Sequence, residues 1–437
     1  MASIPSNILQ NVQTFQMAEL AFLQNSFAAI ALSNKKFKDF NNLTANLGDT
    51  VTFDLAPRFT SRPGLVITQQ PSVQRPQTLV CSQAENVSSA YTDQQFIFNV
   101  EDYMSRFGMS AVKELGTKIE ADILKSVISE LRVNDPEANN FGSLIQNTGP
   151  FRFFGNGITQ INSFSQLAQA LANFRAYGAD MGMTRAILPM EVIPAIVNTG
   201  LNQFAMSRNN ELANSWELGK FSNCDWYQSN LLPVHISGTI GDAAAPNNVV
   251  TVVSTNDPTG NNITAITFTE PTSSSSATAF RAGDMLQFDD PTFKLLTFIG
   301  HIQTSLPVQL VVTQDAISTA GTVTVNVRTV TNIGLVSAPT QNQNINKAIT
   351  AGMTATVVPS HRAGVIWSGD TWYLAMPKLP DYEPYPSVQT VDPDSGVTVR
   401  HYWGSLFGQN VRSYVRDNIW GSTLVPENCM RLIFPLT

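Results

Sequence analysis

Charge is scarce in this sequence. Of 437 residues only 14% are charged, 26 basic and 33 acidic, giving a formal net charge of −7, against roughly 25% charged residues in ordinary soluble domains. There is no run of Lys or Arg, which removes the electrostatic footprint of a tight nucleic-acid binder. The densest basic cluster, Lys35, Lys36 and Lys38, reads as the solvated end of a helix. Cysteine is rare too. Cys81, Cys224 and Cys429 are odd in number and irregularly spaced, which argues against a disulfide framework and for a reducing compartment. The four histidines, His235, His301, His361 and His401, lie outside metal-ligand spacing of one another, and no Cys-x-x-Cys occurs, so no metal site is expected. Apolar runs are too short to span a bilayer. The best of them, Met17–Leu32, contains Glu19, Gln24 and Asn25 and lacks a basic leader and cleavage site, so no secretory signal and no membrane partner are expected.

Catalytic motifs are missing as well. Phe153–Gln160, FFGNGITQ, lacks the third glycine of a phosphate loop and reads as a turn. Asp392–Gly396, DPDSG, places its glycine too early for a calcium loop and also reads as a turn. Asp289-Asp290-Pro291 fits a loop better than an acid/base pair, and no nucleophile elbow or kinase signature is present. Neither an enzyme nor a cofactor is expected.

What the chain does have is bulk and neutral polarity. It is 43% hydrophobic, with Asn, Gln, Ser and Thr supplying the polar surface; such groups are cheaper to desolvate than charges, which suits burial against partners. Its length exceeds one ordinary core. Gly48–Thr60, GDTVTFDLAPRFT, alternates Val51, Phe53 and Leu55 with Thr52, Asp54 and Ala56, the period of a half-buried strand that Pro57 ends. Arg58–Thr92 then holds few large apolar residues and no Lys, so no core of its own is expected there. Tyr91–Val100 reads as a returning strand and Glu101–Leu131 as a helix of roughly 45 Å. Thr14–Leu32 is a weaker amphipathic helix.

Further on, Ser163–Tyr177 is a helix with Ser163 as cap and Gly178 as stop. Arg185–Leu188 is a short strand, Glu191–Asn198 a helix with Pro194 early, Asn202–Leu218 a broken helix, and Asn223–Val234 a strand. From Ser237 to Pro359 the composition shifts to Thr, Val, Gly, Asn and Ser. Strand candidates fall at Val249–Ser254, Thr264–Thr269, Met285–Phe288, Val308–Thr313, Thr322–Val330 and Thr354–Val358, separated by turn signals. They predict an all-β unit, a small barrel inserted into an α+β parent. Strands resume at Gly364–Met376. Val397–Tyr402 and Gln409–Asp417 form a hairpin-like pair, and a last strand region is interrupted by Pro426.

Taken in order, four stretches resemble the major capsid proteins of tailed phages, the Hong Kong 97 fold, and within it the short-tailed-phage coat proteins that carry an inserted β domain. GDTVTFDLAPRFT is similar to the strand entering their extended loop. YTDQQFIFNVEDYMSRFGMSAVKELGTKIEADIL is similar to the exit strand and long spine helix. KFSNCDWYQSNLLPVHISGT resembles the strand leading into the inserted domain, and VTVRHYWGSLFGQNVRSYVRDNIWGSTLVPENCMRLI the C-terminal strands.

The resemblance implies an N-terminal arm over 1–46 and an extended loop over 47–100. It implies a peripheral domain from 101–150 with 391–420, built on a spine helix 101–131. An axial domain from 151–236, 360–390 and 421–437 and an inserted β domain over 237–359 complete it. It further implies a homo-oligomer of pentamers and hexamers in an icosahedral shell around double-stranded DNA, assembled in host cytoplasm with a scaffolding protein and a portal. No catalytic residues carry over. Relatives that cross-link use a Lys and an Asn; the Lys-free loop predicts noncovalent shell contacts. Arg58, Phe59, Arg62 and Arg75 are the candidate intersubunit contacts. The arginines either pair with acids of a neighbouring copy or are exposed with little energetic weight. The loop is expected to gain order by lying across a neighbour. An alternative from another class is a secreted or surface β-rich adhesin or receptor-binding structural protein, which the Thr/Val-rich segment 237–359 would suit.

Overall fold

Val411–Leu424 is a strand of 14 residues, and the first large sheet is built on it. The computed structural model describes residues 28–34, 50–61, 64–65, 69–72, 75–81, 83–92, 109–128, 149–178, 182–200, 219–244, 247–257, 263–270, 278–319, 321–327, 343–369, 371–377, 379, 387–391, 398–405 and 411–436. Along one edge Val411–Trp420 pairs antiparallel with Gln83–Thr92. On the other, its first part pairs with Thr398–Ser405 and its last with Trp372–Ala375. The 10-residue strand Gln83–Thr92 lies within the stretch expected to be coreless. From Gln83 to Ala90 its side chains alternate between half-buried and exposed, and its backbone ladder, rather than apolar bulk, holds it to the sheet.

Helix α1 is Ala28–Leu32, the described end of the expected Thr14–Leu32 helix. Helix α2 is Met109–Lys125. The expected helix 101–131 is therefore shorter at its C-terminal end, and 101–108 and 129–131 lie outside the described residues. After Lys125 the chain tightens into three-residue hydrogen bonds, Ser126 to Ile123, Val127 to Leu124 and Ile128 to Lys125, the usual 3-10 closure of a helix end. Leu115, Ile119, Ile123, Leu124, Val127 and Ile128 pack on Trp367, Trp372, Leu374 and Trp420, a helix stripe meeting a sheet face. The buried carboxylate of Glu120 accepts the Ala29 and Ile30 amides at 2.7 and 2.9 Å, so α2 caps the short α1.

A second, seven-stranded sheet runs Phe153–Phe154, Cys429–Pro435, His361–Ser368, Thr184–Pro189, Cys224–Ser229, Gly219–Phe221, with Val234–His235 also on His361–Ser368. Helix α3, Phe164–Ala176, starts at Ser163, whose hydroxyl accepts the Gln166 amide at 3.3 Å. It stops at Gly178, where φ is 97°, as the sequence predicts. Helix α4, Ile193–Gly200, follows a 3-10 turn at Met190–Val192, so Pro194 falls in its first turn, where no amide is needed. The expected helix Asn202–Leu218 lies outside the described residues.

The third sheet orders Gln309–Val311, Met285–Phe288, Thr354–Val357, Val249–Thr255, Ala265–Thr269, Thr322–Asn326, all antiparallel. Its two edges meet at a Val312–Val327 bridge, backed by the Thr313 amide on Asn326, so the sheet curls toward a barrel. Val250, Val252, Ile266, Phe268, Phe280, Leu286 and Phe288 fill its interior. The strand entering this unit and the strand leaving it are register partners, His235 opposite His361.

One buried cation joins the three parts. Arg431, with no exposed surface, donates from Nε and Nη2 to the Val127 carbonyl at 3.1 and 2.8 Å and from Nη1 to the Gly283 carbonyl at 3.0 Å. Gly283 has φ 91°, and a Cβ there would lie 2.1 Å from the Ile128 oxygen, so the close approach admits only glycine. Next to it, buried Asp284 accepts from the Ser237 hydroxyl at 2.8 Å and the Gly238 and Arg281 amides at 3.1 and 2.8 Å, and meets His235 Nε2 at 2.7 Å. Burial, then Arg431 and His235, holds His361 well below its ordinary value. Burial and then Arg416 lower His401 to about 3.

Arg431→Met is expected to lower unfolding stability by about 3 kcal/mol or more, because buried carbonyls lose charged donors. A denaturant midpoint equal to the parent's would show that the junction does not depend on this side chain. A second outcome concerns pH. Both depressed histidines are neutral when folded and bind protons near 6.5 when unfolded, so the unfolded state takes up more protons below that pH. Stability should fall as pH drops through about 6.5 and, for His401, continue falling toward its folded value of about 3. Urea midpoints that stay flat between neutral pH and pH 5 would contradict this.

Candidate assembly surface

Thr50–Leu55 and Arg75–Val80 form an antiparallel hairpin in which Phe53 faces Gln77 and Leu55 faces Arg75. Among the described residues its core lies at the root: Phe53, Leu79, Cys81 and Ala375 are buried together, with Leu55, Tyr373 and Ile419 partly buried around them. The Phe53 and Tyr373 rings are 4.8 Å apart. At Gly421 of the long strand a Cβ would stand 2.2 Å from the Val80 oxygen and 3.0 Å from the Cys81 Cα. The hairpin thus docks backbone to backbone, and glycine is what permits it.

Beyond Pro57 the candidate residues part company. Arg58 is buried, its Nη2 2.5 Å from the Glu427 carboxylate and its guanidinium 5.2 Å from the centre of the Phe298 ring. Its acid partner is in its own chain, and the contact ties the loop's root to the last 3-10 turn, Pro426–Asn428, and to the barrel unit. Phe59, the next residue, is 57% exposed, and Leu65 is fully exposed. Between them the Gln70 side chain closes the loop: its oxygen accepts the Thr60 amide at 3.0 Å and its nitrogen donates to the Thr60 carbonyl at 2.5 Å. Arg62 lies outside the described residues. Arg75 begins the second hairpin strand, opposite Leu55.

Sequence reasoning missed Glu427 and Phe298, which are hundreds of residues from Arg58. The one local signal was Pro426, which breaks the last strand and leaves Glu427 turned off the sheet. Arg152, also missed, sits near the same turn. It donates to the carbonyls of Phe174 at 3.2 Å and Glu427 at 2.9 Å, and burial lowers its pKa to about 10.

The motifs weighed for chemistry take structural roles. Gly155 and Gly157 have φ of 110° and 71°, and the Asn156 side chain accepts the Ile158 and Thr159 amides, which makes FFGNGITQ an Asx-type turn. Asp290 binds Lys347 and the Thr292 amide and hydroxyl, which hold its carboxyl at about 2, while Asp289 accepts from Thr356. The three cysteines are buried as free thiols, and burial pushes Cys224 up to about 12, away from nucleophilic use. Asp392–Gly396 lies outside the described residues. Among the described residues no His, Cys, Asp and Glu cluster is placed to hold a metal, and no helix is long and apolar enough to cross a membrane.

No family model matches the chain, and no curated protein does. Solved structures similar to it include that of Mycobacterium phage Che8, at 7% identity over 93% of this chain and 90% of that one, with a TM-score of 0.43. The capsid of Ralstonia phage GP4 is similar at 9% identity over 94% and 88%, with a TM-score of 0.41. The capsid of the cyanophage P-SCSP1u is similar at 10% identity over 93% and 89%, with a TM-score of 0.38.

Gly421→Ala should push the hairpin off the long strand at a cost of roughly 1–3 kcal/mol, with faster protease cleavage between residues 56 and 74. Unchanged melting and unchanged cleavage together would mean that the hairpin is not held at this point.

Proposed function

We propose that this chain is the major capsid protein of a tailed phage, with many copies building an icosahedral shell. The observation that carries this reading is the hairpin. A two-stranded arm is marginal by itself; this one is cored only at its root and leaves Phe59 and Leu65 exposed beyond it. Such an arm gains its missing contacts from a second copy. Arg58, paired with Glu427, sets the direction in which the arm leaves; Phe59, Arg62 and Arg75 then meet the neighbour. The order of the four stretches that resemble phage coat proteins supports the same reading.

In this reading the parts follow the Hong Kong 97 arrangement. The arm is 1–46 and the extended loop 47–100. The peripheral domain is 101–150 with 391–420, the axial domain 151–236 with 360–390 and 421–437, and the inserted β domain 237–359. Pentamers and hexamers assemble in host cytoplasm with a scaffolding protein and a portal, and the shell encloses double-stranded DNA. A net charge of −7 suits a container that does not grip its contents. An adhesin is less well supported, because the Thr/Val-rich unit is locked to the rest through Arg431 and Asp284 rather than projected from it.

Electron microscopy of the expressed full chain is the test. Closed shells, tubes or rings of five and six copies are expected, and particles boiled in detergent should run as monomer because no loop lysine is available for cross-linking. A persistent monomer, with or without scaffolding partner, would overturn the proposal.

A further inference from the structure

The strand that enters the barrel unit and the strand that leaves it meet at two histidines. His235 and His361 are register partners, both are buried, and their ring centres are 5.3 Å apart. Nδ1 of His361 lies 2.8 Å from the Pro359 carbonyl. A carbonyl only accepts, so Nδ1 carries the proton and Nε2 a lone pair. That Nε2 is buried and has no hydrogen-bond partner.

Among the described residues the groups around this ring come from several elements. The entering strand brings His235 and the C-terminal strand brings the Arg431 guanidinium. The turn Arg281–Asp284 of the barrel unit brings the Asp284 carboxylate, already occupied by His235, the Ser237 hydroxyl and the Gly238 and Arg281 amides. The end of α2 brings the Val127 carbonyl, which Arg431 binds. On either side of His361 in the chain, Ser360 is bound to Asp242 and Arg362 to Glu191. A proton on Nε2 thus puts a second cation beside Arg431, and its new N–H finds no free acceptor. The closed site therefore disfavours that proton. The turn is the cover over these groups: a Cβ on Gly283 would stand 3.1 Å from His235 Cε1.

We propose that this turn is an acid-operated latch: on taking a proton, His361 drives Arg281–Asp284 off the neck while the cores on both sides stay folded. In the closed form, burial and then Arg431 and His235 hold the imidazole well below its ordinary value of 6.5, to which it returns when the turn opens. The closed form is therefore fully favoured above that pH and loses ground as pH falls below it, by one proton. The apolar interiors of the barrel and of the seven-stranded sheet contain no group that titrates in this range. The latch lies within one chain and does not depend on the shell reading.

Hydrogen exchange of the full chain near pH 7.5 and near pH 5.5, corrected for the intrinsic pH dependence of exchange, tests this. Protection of the Gly238 amide, which Asp284 holds, should drop about tenfold, the change for one proton taken up at an ordinary imidazole. Amides of Ala265–Thr269 and Thr184–Pro189 should keep theirs. His361→Asn retains a donor for the Pro359 carbonyl but cannot charge, and should abolish the drop. His401→Asn, on the other large sheet, should leave it unchanged. A loss shared equally by the barrel strands, or one that His401→Asn reduces, would mean global unfolding and overturn the latch. A drop that survives His361→Asn, or no drop in the parent chain, would overturn it too. Where His361→Asn fails to fold, the His401 comparison and the spread of the loss decide.

Discussion

Arg431 meets its surroundings through carbonyl oxygens, and much of the architecture follows from that. A buried guanidinium without a hydrogen-bonded carboxylate is stable only where several dipoles converge on it. Here the Val127 carbonyl comes from the turn that closes helix α2, where the helix dipole is negative. The Gly283 carbonyl comes from the barrel unit, and Arg431 itself lies on the C-terminal strand. Withdraw any one of the three and the charge is left short of partners. The short helix–strand distance this demands also explains Gly283, since a side chain there would strike the Ile128 oxygen.

The hairpin obeys the opposite logic. Its root is overdetermined: a buried apolar cluster, the backbone contact at Gly421 and the Arg58–Glu427 pair all fix the same few residues. A few residues further out those constraints stop, and Phe59 and Leu65 face solvent. Phe59 and Leu65 are thus presented close to a fixed root. Because Arg58 also lies against Phe298, the root is fixed against the barrel unit as well as against the sheet of the long strand.

Local features were legible in the sequence, and long-range ones were not. Val250 and Val252, or Ile266 and Phe268, are buried in alternation with half-buried residues, so period two located those strands. Ser163 and Gly178 bounded α3 by cap and stop. The three-residue strands Thr278–Phe280 and Lys294–Leu296 are too short to show a period. The strand Gln83–Thr92 was hidden because three of its half-buried positions, Gln83, Glu85 and Ser89, are polar and only Val87 among them is apolar; its partner Val411–Trp420 is more than 300 residues away. Helix α2 ends early because its last turn serves Arg431, which no helical periodicity reports. Of the candidate contacts, the sequence picked out Arg58 by type and position, but its acid partner depends on a turn brought back by the fold.

The scarcity of charge takes on a different meaning once the arginines are located. Among the described residues Arg58, Arg152, Arg400, Arg416 and Arg431 are buried, against Glu120, Glu270 and Asp284 among the acids. Among these described residues cations are thus drawn inward more than anions. The buried arginines bind carbonyls, aromatic faces and single carboxylates, which suits the weak hydration and planar donors of guanidinium. Lysine, a compact and strongly hydrated charge, would pay far more to sit there. The same few cations therefore hold the layers together from inside. A chain with so few charges, its polarity carried by Asn, Gln, Ser and Thr, can desolvate its polar groups at lower cost than one rich in ions.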